Sequence, residues 1–299
     1  MRVTICQTEP KLLDIHANLE DIIQKIKKWR DHGSELVIFP ELALTGYFVG
    51  PSYHEVALRL DSPEIKKLVK ATKDTGVVVG FIEESHSMNF YNAALVAVDG
   101  EIKYCYRKLN LPNYGVFEEK KYFSGGKHIP VFRLDEFNIA VFICNDLWHP
   151  SLPYLGITQK ADIFVTIFNS SQGSMGNEFS NIESWSVINT FYSRIFGIYN
   201  ICANRVGDEG LQKRREEDRG HENEYPDTFR FWGGSEIINP FGQRIAQACL
   251  YEQDEIYAEI DKDMLRKKKI LLPYLRNDDP YFTQRELTRI LFSEKYQTD

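Results

Sequence analysis

One cysteine of the sequence lies where an apolar strand pattern gives way to polar residues. Cys144 follows the apolar run at residues 139–143 and precedes Asn145 and Asp146. In α/β proteins, active sites form at the carboxyl ends of strands, and a cysteine there can act as a nucleophile if a neighbouring group activates its thiol. On its own, a cysteine of this kind is more often a buried structural residue, so Cys144 needs partners before it predicts chemistry.

Two other residues occupy comparable strand-end positions. Glu41 follows Pro40 at the end of a predicted strand and leads into an apolar segment. An unpaired carboxylate is costly there, so Glu41 is either a structural helix cap or a general base. Lys108 ends a predicted hairpin strand, where a lysine is usually solvated. Downstream, Glu118 and Glu119 form a plain charged loop, or one of them reaches the lysine.

Composition excludes several classes of protein. The 299 residues are 43% hydrophobic and 26% charged, with a formal net charge of −7, which is typical of a globular protein and disfavours a nucleic-acid-binding surface. No apolar stretch reaches the ~18 residues that a membrane helix needs. The amino terminus enters a strand pattern without signal-peptide features, and the five widely spaced cysteines suggest no disulfide framework. We therefore expect a cytoplasmic protein that binds neither nucleic acid nor membrane.

Motifs for bound cofactors are absent from the sequence. It contains no glycine-rich phosphate loop ending in Lys-Ser or Lys-Thr, no dinucleotide-binding glycine fingerprint and no Gly-x-Ser-x-Gly elbow. There is no Cys-x-x-Cys pair and no histidine pair at metal-ligand spacing. We expect neither a metal nor another cofactor.

The elements that would position these residues alternate between helix and strand. Residues 15–31 have apolar residues at helical spacing after a capping aspartate, and short apolar runs at 36–39, 139–143 and 163–168 predict buried strands. Asp99-Gly100 predicts a hairpin. This mixture of buried strands, hairpins and helices predicts an α/β protein with mixed sheets and helices on the sheet faces.

One segment interrupts this pattern. Residues 208–230 are rich in charge and have no apolar period, which predicts a surface insertion rather than core. We expect it to border the pocket and to select a polar or charged substrate. A substrate carboxylate could meet Arg214, Arg215 and Arg219, although a solvated loop explains their charge as well.

Together these segments resemble the nitrilase, or carbon–nitrogen hydrolase, superfamily. The resemblance rests on Phe-Pro-Glu-Leu at 39–42, Arg-Lys at 107–108 with Phe-Glu-Glu-Lys at 117–120, and Ile-Cys-Asn-Asp at 143–146. It implies a four-layer αββα sandwich with mixed sheets over residues 1–265. It also implies a homodimer or larger homo-oligomer, and we expect residues 266–299 to form a tail that docks on a partner subunit.

The resemblance also implies roles for individual residues. Glu41 would be the general base, Cys144 the nucleophile, and Lys108 a stabiliser of the oxyanion together with the backbone N–H of Asn145. Glu119 would be the second glutamate, which positions Lys108, with Glu118 as the alternative. We expect the substrate to contact Tyr47, Tyr114, Asn145, Trp148 and Asn169.

Two motifs narrow the expected substrate to part of the range that this family accepts, without fixing one compound. The loop at residues 111–117 is similar to that of glutamine-hydrolysing domains of NAD synthetases, yet Asn145 stands where those domains carry Glu, and we expect no synthetase domain. The Cys-x-Asp-x-Trp-x-Pro pattern at 144–150 is similar to N-carbamoyl amine amidases, and the Cys-Trp-Glu of true nitrilases is absent. We therefore expect an amidase that acts on a small molecule, with N-carbamoyl hydrolysis as the second hypothesis. An acyltransferase and an inactive scaffold are further alternatives.

Overall fold

The computed structural model describes residues 1–174, 180–210 and 228–293. Its first half contains β1 (Arg2–Gln7), α1 (Ile15–Asp31), β2 (Leu36–Ile38), α2 (Pro63–Ala71), β3 (Gly76–Glu84), β4 (Phe90–Val98), β5 (Glu101–Arg107) and α3 (Glu119–Tyr122). Its second half contains β6 (Val131–Leu134), β7 (Phe137–Ile143), α4 (Ser151–Thr158), β8 (Ile163–Phe168), α5 (Asn181–Phe196), β9 (Tyr199–Asn204), β10 (Val206–Gly210), β11 (Thr228–Trp232), β12 (Glu236–Ile238), β13 (Arg244–Gln247), β14 (Asp254–Glu259), α6 (Lys262–Leu271), α7 (Tyr274–Asn277) and α8 (Pro280–Leu291). Short 3-10 helices cover Gly50–His54 and Cys144–Trp148.

The first sheet has six strands in the order β14-β1-β2-β3-β4-β5. Strands β1, β2 and β3 are parallel, whereas β14, β4 and β5 join antiparallel. The hairpin predicted from Asp99-Gly100 is confirmed: Val98 pairs with Glu101, and both turn residues have positive φ, as a tight hairpin turn requires. The predicted helix over residues 15–31 is confirmed as α1, which Asp14 caps by accepting the backbone N–H of Ala17 at 3.0 Å.

The second sheet also has six strands, in the order β13-β12-β9-β8-β7-β6. Strands β7, β8 and β9 are parallel and central, and antiparallel strands flank them on both sides. Both sheets are therefore mixed, as the sequence predicts.

Alternation along the central strands builds the layers. In β2, Leu36 and Ile38 contribute to one buried cluster together with residues of the second sheet, whereas Val37 packs in another cluster with the apolar faces of α1 and α2. Trp185 of α5 packs in the cluster that contains the second sheet. The result is helices, sheet, sheet and helices, which confirms the predicted four-layer αββα sandwich.

The segment 208–230 corrects one expectation. Its ends are not surface loop, because β10 and β11 pair in a two-stranded antiparallel sheet. Glu209 and Phe229 are buried there, and the charge of the surrounding residues hides the alternation of exposed and buried positions at the two ends of the segment. Arg214, Arg215 and Arg219 lie outside the described residues.

The chain beyond β14 continues as helices. Residue 265, at which the predicted hydrolase domain ends, lies inside α6, and Leu265 and Lys268 of that helix are buried. Helix α8 exposes apolar side chains, among them Tyr281 and Leu291; the expected docking of this tail on a partner stays a prediction. None of the helices formed by residues 1–174, 180–210 and 228–293 is long and apolar enough to cross a membrane.

Candidate active site

Cys144 lies at the sharp turn where β7 ends and is the first residue of the 3-10 helix Cys144–Trp148. Its backbone φ is 46°, in the left-handed region, although the residue is not a glycine. Such a conformation is strained by about 1–3 kcal/mol and persists only where the surroundings hold it. A strand-to-helix turn of this type lifts the side chain out of the sheet, as in hydrolases that present a nucleophile there. The side chain of Cys144 is half-buried and lines a pocket.

Asp146 holds this turn against the end of β5. Its carboxylate accepts the hydroxyl of Tyr106 at 2.8 Å and the backbone N–H of Ile143 at 3.2 Å. The other oxygen accepts the N–H groups of Asn110 at 2.8 Å and Leu109 at 3.2 Å. Burial raises the pKa of Asp146 to about 6, and these hydrogen bonds oppose the rise. The strained turn at residue 144 is therefore fixed to the segment that begins just after Lys108.

Lys108 lies between two carboxylates in the interior. Its Nζ is 2.8 Å from Oε1 of Glu41 and 2.7 Å from Oε1 of Glu119. The side chains of Lys108 and Glu41 are wholly buried, and that of Glu119 is 5% exposed. Of the two downstream candidates, Glu119, the first residue of α3, is the one that accepts from the ammonium.

Asn92 of β4 bridges the same two glutamates and was missed by the sequence analysis. Its Nδ2 lies 2.7 Å from Oε1 of Glu41 and 3.4 Å from Oε2 of Glu119. Because ionised carboxylates only accept hydrogen bonds, the amide NH₂ must face them. Asn92 is wholly buried within an apolar strand, and a polar residue at a core position was the one available signal.

A glycine lets the Glu41 segment reach this position. Gly80 of β3 lies beneath the turn after β2, and a Cβ built there would be 2.2 Å from the N of Leu42 and 2.6 Å from the Cα of Glu41. Any side chain would displace the backbone at those distances. The N–H of Gly80 also donates to the carbonyl of Pro40 at 3.2 Å, so the segment is held directly on the strand.

The electrostatics of the cluster define its resting state. Burial alone would lower the pKa of the Lys108 ammonium, but the charges of Glu119 and Glu41 raise it well above its usual range. Burial raises the pKa of the Cys144 thiol, the charge of Glu41 adds to the rise, and Lys108 opposes it. Burial also raises the pKa of Glu119 against the effect of Lys108. At neutral pH a charged lysine thus lies near a neutral thiol, which needs a base before it can attack.

The pocket beside Cys144 is small, with a volume of about 60 Å³. It is lined by Pro112, Tyr114, Phe117, Cys144, Asn145, Trp148, Asn169, Ser170, Asn181 and Trp185. The hydroxyl of Tyr114 donates to Oδ1 of Asn145 at 2.9 Å, and the ring of Trp148 lies edge-on to Trp185 with centroids 5.6 Å apart. Aromatic and amide groups therefore surround the thiol.

Asn169 follows β8 and is the unsatisfied polar group of this wall. Its side chain is 2% exposed, yet neither Oδ1 nor Nδ2 has a hydrogen-bond partner in the part of the chain that the structure describes. Buried polar groups are nearly always paired, so such an amide is free to bind a ligand. The adjacent Ser170 is held by Asn204, whose Oδ1 accepts its N–H at 2.9 Å and whose Nδ2 donates to its carbonyl at 3.3 Å.

The predicted site residues fall into two groups in space. Glu41, Lys108 and Glu119 form the buried cluster, and Tyr47 joins it because its hydroxyl donates to Oε1 of Glu119 at 2.7 Å. The remaining predicted residues line the pocket: Cys144, Tyr114, Asn145, Trp148 and Asn169. Tyr47 therefore contacts Glu119 through its hydroxyl, and its ring reaches the pocket wall only from behind, edge-on to Phe117 with centroids 6.1 Å apart.

Known proteins resemble this chain over most of its length. It is 29% identical over 272 residues to a protein named glutamine-dependent NAD(+) synthetase from Thermotoga maritima, covering 88% of this chain but 42% of that protein. It is 26% identical over 265 residues to N-carbamoylputrescine amidase from Arabidopsis thaliana, covering 86% of this chain and 85% of the relative. The chain thus spans less than half the length of its synthetase relative.

A solved structure supports the same fold. The crystal structure of a carbon-nitrogen hydrolase from Helicobacter pylori G27 superposes with a TM-score of 0.81, covering 97% of this chain and 98% of that chain at 21% identity. The family model for carbon-nitrogen hydrolases matches residues 2–269. The chain belongs to the carbon-nitrogen hydrolase family.

Proposed function

We propose that the protein hydrolyses a C–N amide bond of a small molecule through a thioester on Cys144. The observation that carries the proposal is the difference in hydrogen bonding between the two carboxylate oxygens of Glu41. Its Oε1 accepts from Lys108 and Asn92, whereas its Oε2 is buried and has no hydrogen-bond partner among the described residues. A buried carboxylate oxygen without a donor can accept a proton, and the neutral thiol of Cys144 has one to give.

The first half of the proposed reaction forms the thioester. Glu41 takes the thiol proton as the sulfur of Cys144 attacks the amide carbon, and the carbonyl oxygen becomes an oxyanion. The ammonium of Lys108 and the backbone N–H of Asn145 stabilise that oxyanion, as fixed donors in a dry site do. Glu41 returns the proton to the amide nitrogen, the C–N bond breaks, and ammonia or an amine leaves.

The second half releases the acid. Glu41 takes a proton from a water molecule, and the resulting hydroxide attacks the thioester carbon. The C–S bond breaks, and the proton on Glu41 restores the thiol of Cys144. The sum is one amide and one water converted to one carboxylic acid and one ammonia or amine, so neither metal nor redox cofactor enters the balance.

The test is a screen of small amides, N-carbamoyl compounds and nitriles, scored by ammonia release. We expect turnover of at least one amide, loss of about 1000-fold or more in Cys144→Ala, and wild-type rates in the matched control Cys249→Ser, whose cysteine is exposed. Cys144→Ala with wild-type turnover would refute the proposal. Adding hydroxylamine separates the acyltransferase alternative, because an acyltransferase would form little acid from water alone and hydroxamate once hydroxylamine is present, whereas a hydrolase forms acid without it. No turnover together with an unreactive Cys144 would favour the scaffold.

Hydrolysis of an N-carbamoyl compound is the second candidate. The amide of Asn169, which has no partner among the described residues, offers a donor and an acceptor beside Cys144, and the C=O and NH₂ of a ureido group complement it, as those of a carboxamide also do. What favours the N-carbamoyl compound is a relative that the chain matches over 85% of that relative's length. The relative from Arabidopsis thaliana is named N-carbamoylputrescine amidase. Such a substrate would release ammonia, carbon dioxide and an amine, so carbon dioxide formation distinguishes the two candidates.

A further inference from the structure

A buried ion pair lies outside the proposed catalytic cluster, and its burial alone does not imply that it stabilises the fold. Arg205 and Glu209 are 1% and 4% exposed and form a salt bridge. The Arg205 guanidinium lies 4.3 Å over the ring of Phe231 and donates to the carbonyl of Pro10 at 3.2 Å. Replacing such a pair with apolar residues often leaves the free energy of unfolding unchanged, so stability alone does not account for the presence of this pair.

The second oxygen of Glu209 points to that role. Its Oε1 accepts the backbone N–H of Tyr47 at 2.8 Å and also that of Phe48. Two consecutive N–H groups on one carboxylate oxygen fix the direction of the chain at this point. Gly46 permits the approach, because a Cβ built there would lie 2.9 Å from Leu12 and 3.0 Å from Oε2 of Glu209, and its φ is +79°.

The Tyr47 side chain carries this constraint into the cluster. Its hydroxyl is 2.7 Å from Oε1 of Glu119, the oxygen that also accepts from Lys108 at 2.7 Å. The position of Tyr47 therefore affects the geometry of the hydrogen bond between the Lys108 ammonium and Glu119.

Aromatic packing joins the same two parts of the chain. The ring of Phe48 lies 5.1 Å from that of Phe229 and 6.2 Å from that of Phe231, and the ring of Tyr47 lies 6.4 Å from Phe231. Both phenylalanines belong to β11, which pairs with the strand that carries Glu209. The β10–β11 hairpin and residues 47–48 thus form one packed unit beside Glu119.

We infer that Glu209 is a positioning residue, which holds Glu119 on Lys108 by fixing the backbone of Tyr47. This inference rests on the proposed function for its kinetic consequences. The inference gives the β10–β11 hairpin a role in the active site through Glu209, whatever the segment between the two strands does.

A matched pair of double variants isolates the hydrogen-bond acceptor. Arg205→Met/Glu209→Gln and Arg205→Met/Glu209→Met both lack the ion pair and leave no buried charge unpaired, but only the first keeps an oxygen for Tyr47. We expect the Gln variant to keep kcat within about threefold of wild type. The Met variant should lose about tenfold or more in kcat, with KM changed less than about threefold. The reason is that Tyr47 is no longer fixed and its hydroxyl loses the aligned hydrogen bond to the charged Glu119.

Tyr47→Phe tests the same path from its other end. We expect it to lower kcat by the same factor as the double Met variant and to move the acid limb of the kcat profile to higher pH, because the Tyr47 hydroxyl favours charged Glu119. Combining Tyr47→Phe with the double Met variant should add no further loss, since both break one path. Asp162→Asn is the control: Asp162 is a buried, lysine-paired carboxylate at the opposite end of β8 from Asn169, and kcat should not change.

Equal kcat in the Gln and Met variants, or losses that multiply with Tyr47→Phe, would overturn the inference. If the double Met variant does not fold, a Tyr47→Phe protein with wild-type kcat and acid limb overturns it alone. Failure of the proposed function is recognised separately, as absence of Cys144-dependent turnover in the wild type. In that case the pH dependence of Cys144 alkylation by iodoacetamide replaces kcat: Tyr47→Phe and the double Met variant should shift its midpoint equally, and an unshifted midpoint in both contradicts the inference.

Discussion

Replacing Asn92 with aspartate puts a third carboxylate between two others, and the structure sets the size of the effect. Asn92→Asp places an oxygen where Nδ2 now lies, 2.7 Å from Glu41 and 3.4 Å from Glu119. At an effective dielectric constant of about 20, each like-charge pair at roughly 3 Å repels by about 5 kcal/mol. The new carboxyl will therefore bind a proton in the folded protein rather than bear that repulsion.

Proton uptake limits the loss of stability and makes it depend on pH. Holding an aspartate of ordinary pKa, about 3.9, protonated at about pH 7 costs about 4 kcal/mol, and at about pH 5 about 1.5 kcal/mol. The folded pKa is raised, so the folded state binds a proton that the unfolded state lacks, and stability falls as pH rises through this window. The protonated side chain can still donate its O–H to Glu41, which restores the main hydrogen bond.

Urea unfolding at several pH values measures this effect through the fluorescence of the four tryptophans. We expect the free energy of unfolding of Asn92→Asp, relative to wild type, to drop by about 3 kcal/mol between about pH 5 and pH 7. Asn92→Leu is the control, because it has similar volume without charge and should show a loss that does not vary with pH. A flat difference for Asn92→Asp as well would show that residue 92 does not face the two glutamates, and the described geometry of the cluster would be wrong.

Three further predictions concern the proposed reaction. In a Cys249→Ser background, which removes the exposed thiol, iodoacetamide should alkylate Cys144 before the three other cysteines, and mass spectrometry showing equal labelling would argue against an activated nucleophile. Lys108→Arg should fold but lose about 100- to 1000-fold in kcat, because a planar fork cannot place a compact ammonium between two carboxylates; wild-type kcat would remove Lys108 from the mechanism. Residues 211–227 should be replaceable by a two-residue Asn-Gly turn, since Gly210 and Thr228 are paired neighbours: we expect the melting temperature to be nearly kept and the relative rates on several amides to change, and unchanged rates on all of them would leave the segment outside substrate selection.

The sequence predicts the strand-end residues of the candidate site but not what joins them. Cys144, Glu41 and Lys108 each stand where an apolar run ends, and that local pattern is visible in one dimension. Asn92 lies within a strand, 51 positions from Glu41, and only the pairing of β2 with β3 and of β3 with β4 brings the two together. Contacts at such separation depend on sheet register, which short-range periodicity does not specify.

The error at residues 208–230 has a related cause. Charged residues dominate the composition of that segment, so its average describes an exposed loop. The structure buries particular members of it, and Glu209 is buried because Arg205 and two backbone N–H groups neutralise and satisfy it. A carboxylate with partners on three sides is stable in the interior, but its sequence neighbours do not show that the partners exist.

The presence of two glutamates around one lysine follows from the proposed chemistry. A lysine in so dry a site would lose its proton if it had no counter-charge, because burial alone lowers its pKa. When Glu41 accepts the thiol proton it becomes neutral, and at that moment its attraction for the ammonium is lost. Glu119, 2.7 Å from Nζ, keeps its charge and so keeps Lys108 protonated while the oxyanion forms. In the proposed reaction one carboxylate moves protons while the other keeps its charge. We therefore expect the hydrogen bonds that hold Glu119 in place, from Asn92 and Tyr47, to affect kcat as much as those of the proposed base itself.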